Sequence, residues 1–131
     1  MIELQGGILP FICLIFVIFF GGFMSLKAIF DKNFMSSLGM ASVEAVFVGR
    51  TLGFSIMGSV LILIAVLLGI GPFTSVNEVL GVIFIFTGLS VINNLLMYMK
   101  VIPAPNEDYQ LKNAIRPLIP FTVILIRALI I

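Results

Sequence analysis

Histidine and tryptophan are absent from this chain of 131 residues, and Cys13 is its one cysteine. Because histidine is the commonest metal ligand and the usual acid–base group near neutral pH, its absence removes most catalytic and metal chemistry. A single cysteine cannot form an internal disulfide, and with scattered carboxylates it cannot complete a zinc or iron–sulfur site. No nucleophile, base and orienting group occur together. The sequence predicts no catalytic residue, no metal and no cofactor, and leaves open only a structural lipid.

Charge is also scarce, since 10% of the residues are charged and 61% are hydrophobic. Soluble domains carry about 25% charged residues. The mean hydropathy of +1.29 and the net charge of +1 leave no basic patch for nucleic acid. Lipid, or other apolar protein, is therefore expected to cover most of the surface.

Four apolar blocks fill residues 7–30, 43–70, 76–100 and 117–131. About 20 apolar residues cross about 30 Å of hydrocarbon. The pattern predicts one all-α domain over residues 1–131, an integral membrane bundle of four transmembrane helices in up-down-up-down order. The fourth block is short, so it either packs in a thinned zone or continues beyond Ile131. The first block has no basic n-region and no small-x-small cleavage site, which favours a retained helix over a signal peptide.

Basic residues surround the first and third links, whereas the N-terminus and the second link carry only Glu3 and Glu78. The positive-inside rule then predicts that links one and three are cytoplasmic and that both termini lie outside. Arg50 could instead pair with Glu107 or Asp108 of link three. Contact with lipid headgroups is expected for Lys27, Lys32, Arg50, Lys100 and Arg116.

Small residues form a stripe on the second predicted helix. Such residues let helix backbones approach closely in lipid, which indicates packing either inside the chain or against another subunit. The stripe consists of Gly49, Gly53, Ser55, Gly58 and Ser59.

Three polar residues interrupt the later apolar blocks. Arg127 follows Pro117 by ten residues, which is about 15 Å along a helix and near the bilayer midplane. A charge there normally faces a protein interior, a water cavity or a partner. Alternatively, a shifted helix lets Arg127 reach the outer headgroups. Asn93 and Asn94 either line a path for a small solute or form interhelical hydrogen bonds.

The segments FDKNFMSSLGM (Phe30 to Met40) and GRTLGF (Gly49 to Phe54) resemble the small DoxX-like four-helix membrane families. Those families have an F…P…F…LG link after helix 1 and R-x-x-G at the start of helix 2. Asn33 stands where proline is usual in the link. The resemblance implies the four-helix fold and no particular activity.

These features together predict a non-catalytic accessory subunit of a larger membrane complex, with other membrane subunits and lipids as partners. The alternative is a small oligomeric transporter or channel that uses Arg127 with Asn93 and Asn94. A membrane enzyme acting on lipid is a third reading, for which the chain offers no candidate base or nucleophile.

Overall fold

Residues 2–40, 42–104 and 110–131 are described in the computed structural model, and every regular element among them is helical. A short 3-10 turn, Glu3–Gln5, precedes the first long helix. Four helical segments are long and apolar enough to cross a membrane, which confirms the predicted all-α fold class. The α-helices in chain order are α1 (Ile8–Phe30), α2 (Phe34–Ser37), α3 (Val43–Leu68), α4 (Val76–Tyr98), α5 (Leu111–Ala114) and α6 (Leu118–Ile130).

Local chemistry sets the two ends of α3. The Ser42 hydroxyl accepts a hydrogen bond from the backbone N–H of Ala45 at 3.3 Å, which satisfies one of the free amides of the first turn. At the other end, Gly69 adopts a left-handed conformation with φ of 69°. This geometry stops the helix after Leu68, two residues before the predicted end at Ile70.

The fourth span is longer than its apolar block because α5 extends it. The N–H of Leu118 donates to the carbonyl oxygen of Ile115 at 2.9 Å, and that of Ile119 donates to Arg116 at 3.2 Å. These bonds carry the chain from α5 into α6 as a 20-residue segment from Leu111 to Ile130. At about 1.5 Å per residue this segment reaches about 30 Å, the thickness of the hydrocarbon.

The core lies between α1, α3, α4 and α6. Leu14 of α1 and Leu63 of α3 are fully buried, and Leu80 and Ile124 bring α4 and α6 to the same cluster. The most extensive contact is between α1 and α3, α6 packs on both α1 and α4, and α3 touches α4 much less. The α3–α4 side of the bundle is therefore the least closed.

Candidate functional site

A cavity of about 390 Å³ lies on this side of the bundle, between α3 and α4. Its inner wall includes Val17, Ile56 and Val60, whereas Leu52 and Phe86 at its mouth are exposed. We call this feature the α3–α4 groove. Its volume falls in the range of about 300–1,000 Å³ that small-molecule sites occupy.

Four hydroxyl side chains line the groove, but each one is already bonded to its own helix. Ser55 and Ser59 each donate to the carbonyl oxygen four residues earlier at 3.3 Å, and Thr87 and Ser90 do the same at 2.8 Å. A hydroxyl that bonds back to its helix presents little unmet polarity to a neighbour. The middle of the groove therefore suits an apolar occupant.

One end of the groove is polar. Asn113 is 8% exposed, and its Oδ1 atom accepts no hydrogen bond from the described residues. Arg116 is half-buried, and its side chain forms neither an ion pair nor a hydrogen bond with the described residues. Asn94, beside them, donates from Nδ2 to the carbonyl oxygen of Ala114 at 3.4 Å. This end thus presents an unpaired cation next to an unpartnered acceptor.

Arg127 lies at the opposite end of the bundle, where its side chain is 5% exposed. Nη1 donates to Oδ1 of Asn77 at 2.9 Å, and Nη2 donates to Oε1 of Gln5 at 3.1 Å. Asn77 is the second residue of α4, and Gln5 lies in the turn before α1. The guanidinium therefore joins three elements where one end of the bundle closes. Sequence reasoning missed Gln5 as a partner, since nothing near it in the chain signals this contact.

The structure does not bring Arg127 together with the two adjacent asparagines. Asn93 is exposed and donates to Oδ1 of Asn94 at 3.4 Å. From Asn77 to Asn94 the chain advances 17 residues, which is about 26 Å along α4. The polar residues therefore form two separate groups, one near each end of α4, and the apolar part of the groove lies between them along the helix.

The small-residue stripe of α3 divides into two groups. Gly49 and Gly53 are buried, and a Cβ at Gly53 would lie 2.9 Å from Cγ1 of Ile29 and 3.0 Å from the backbone oxygen of Ser25. Gly58 is exposed, and no described atom lies within 4 Å of a Cβ built there. Ser55 and Ser59 belong to the groove, as described above.

The predicted headgroup residues take varied positions. Arg50 donates from Nε to the carbonyl oxygen of Ile29 at 3.2 Å. Ile29 lies at the C-terminal end of α1, where the helix dipole stabilises a positive charge. Lys27 lies 5.1 Å from the ring centroid of Phe23. Lys32 and Lys100 are exposed. The alternative partners of Arg50, Glu107 and Asp108, lie outside the described residues.

No group of three histidine, cysteine or carboxylate residues that could hold a metal ion occurs within residues 2–40, 42–104 and 110–131. No protein-family model, no curated protein and no solved structure matches the chain. The resemblance to the DoxX-like families therefore stays a prediction.

Proposed function

We propose that this chain is a non-catalytic accessory subunit of a larger integral membrane complex. The observation that carries the proposal is Gly58, which forms a notch on the outer face of α3 that no part of the described chain fills. On the same helix, Gly53 packs closely against α1 and Gly49 packs closely against Met35 of α2. Both of these glycines therefore allow close contact with a neighbouring helix.

The surroundings of Gly58 suit a second helix. Phe54 and Leu61 lie on the same helix face, one turn before and one turn after it, and both are more than half exposed. Two ridges beside a residue without a side chain give the close backbone approach by which transmembrane helices associate. A glycine inside a helix also costs about 1 kcal/mol relative to alanine, which a close helix contact can offset.

The membrane topology belongs to the same proposal. Arg50 donates to a carbonyl oxygen at the end of α1, and Asn94 donates to Ala114 of α5, so the basic links lie near one end of the bundle. Gln5, Asn77 and Arg127 mark the other end. This arrangement supports up-down-up-down helices with links one and three in the cytoplasm and both termini outside.

Replacing Gly58 by leucine tests the docking face directly. The wild type, purified from its native membrane in mild detergent, is expected to retain stoichiometric partner chains. Gly58→Leu should weaken that association about fivefold or more, the effect of overpacking a close contact by about 1–3 kcal/mol. Gly81→Leu is the matched control, because Gly81 of α4 also has no described atom within 4 Å of a built Cβ.

Both variants should unfold at or above the temperature of the wild type, since each side chain enters open space and leucine favours a helix more than glycine does. A wild-type chain that runs alone in mild detergent would contradict the proposal. So would a Gly58→Leu chain that keeps its partners. Solute flux in liposomes that disappears in Arg127→Leu would favour the transporter instead.

A further inference from the structure

We infer that the α3–α4 groove binds one acyl chain of an anionic phospholipid, with the phosphate at Arg116 and a headgroup hydroxyl at Asn113. The chemistry is that of phosphatidylglycerol. The inference concerns a different surface from Gly58, which lies on the outer face of α3. It therefore holds or fails independently of the proposed subunit function.

The length and the lining of the groove suit a hydrocarbon chain. Along α4 the lining runs from Val82 to Asn94, which is 12 residues or about 18 Å. Most of the side chains that line it over that length are apolar. An acyl chain needs no hydrogen bonds from walls whose hydroxyls are already bonded.

The mouth of the groove opens on the outer side of the bundle, which lipid surrounds. Leu52 on α3 is 40% exposed, and Phe86 on α4 is 43% exposed. These side chains flank the gap left by the sparse contact between the two helices. A membrane lipid can therefore enter sideways, with no passage through the bundle.

The polar end supplies the specificity for the headgroup. Arg116 offers a guanidinium, which binds phosphate through charge-assisted hydrogen bonds. The buried Oδ1 of Asn113 lacks a donor, and leaving such an acceptor unmet is unfavourable. A glycerol headgroup brings both a negative phosphate and a hydroxyl donor. A choline headgroup has no donor, and its positive charge is repelled by Arg116.

Lipid binding can be measured on the purified chain in detergent by native mass spectrometry and thermal unfolding. Phosphatidylglycerol should bind and raise the unfolding temperature. Phosphatidylcholine has the same phosphate but no hydroxyl donor for Asn113, so it should bind about tenfold more weakly, the factor expected when one buried acceptor stays unpaired. Arg116→Gln should reduce phosphatidylglycerol binding to the level of phosphatidylcholine. Ser55→Phe, at the exposed mouth, should reduce the binding of both lipids.

The matched control is Lys112→Gln, which removes the same charge from an exposed position four residues earlier. This variant should keep the preference for phosphatidylglycerol. Equal binding of the two lipids, or an equal loss in Lys112→Gln and Arg116→Gln, would overturn the inference. Stabilisation by free glycerol phosphate equal to that by the lipid would also overturn it, because the groove would then hold no acyl chain.

Discussion

The three glycines inside α3 give a graded prediction about packing. Replacing each glycine by alanine adds one methyl group at a position whose neighbouring atoms are known. The added Cβ at Gly53 would lie 3.0 Å from the Cβ of Ala28 and 3.0 Å from the backbone oxygen of Ser25. Neither atom can move without moving α1. At Gly49 the nearest atoms belong to the side chain of Met35, with Cγ at 2.6 Å.

The expected magnitudes follow from two opposing terms. Overpacking a tight contact costs about 1–3 kcal/mol, whereas alanine gains at most about 1 kcal/mol in helix propensity over glycine. Gly53→Ala should therefore lower the free energy of unfolding by about 1–2 kcal/mol. Gly49→Ala should lose about 1 kcal/mol, since a methionine side chain can adapt by rotation. Gly58→Ala should be neutral or gain up to about 1 kcal/mol.

The assay is a titration of the detergent-solubilised chain with dodecyl sulfate, followed by the reaction of a thiol dye with Cys13. That side chain is partly buried in α1, so unfolding exposes it to the dye. From least to most stable, the predicted order is Gly53→Ala, Gly49→Ala and wild type, with Gly58→Ala equal to or above the wild type. A Gly53→Ala chain as stable as the wild type would refute the packing of α3 against α1.

Two further predictions concern the ends of the bundle. A double-mutant cycle with Arg127→Met and Asn77→Ala should give a coupling energy of about 1 kcal/mol, and a coupling near zero would show that their 2.9 Å contact adds no stability. In a Cys13→Ser background, a membrane-impermeant maleimide should label Glu78→Cys from outside the cell and Lys32→Cys only from the cytoplasmic side. Labelling of both cysteines from the same side would contradict the proposed topology.

The helical fold could be predicted from the sequence because uninterrupted apolar blocks have few alternatives in lipid. The start of α3 at Val43 agrees with the predicted block, and the hydrogen bond to the Ser42 side chain fixes it there. The apolar pattern predicts that α3 ends at Ile70, two residues too late. The helix ends earlier because Gly69 adopts a left-handed conformation that stops it, although Ile70 is apolar. The fourth span is predicted to begin only at Pro117, because the polar residues Lys112, Asn113 and Arg116 give the stretch before it no transmembrane pattern.

The candidate site was less predictable, because its residues meet through tertiary contacts. The stripe on α3 predicts close packing, but it does not say which of its glycines faces another helix. The orientation of α3 against α1 buries Gly53 and leaves Gly58 exposed. Asn113 carried no signal of its own in the sequence. Its importance arises from burial without a donor, which depends on how α5 folds against α4.

The bond between Arg127 and Gln5 joins residues 122 positions apart. During synthesis the segment before α1 leaves the ribosome before α6 does, so Gln5 must wait for α6 before this contact can form. A nascent chain with only three helices in the bilayer therefore keeps Gln5 and Asn77 without their shared donor. This corner of the molecule therefore reaches its native contacts only after α6 has been made and inserted.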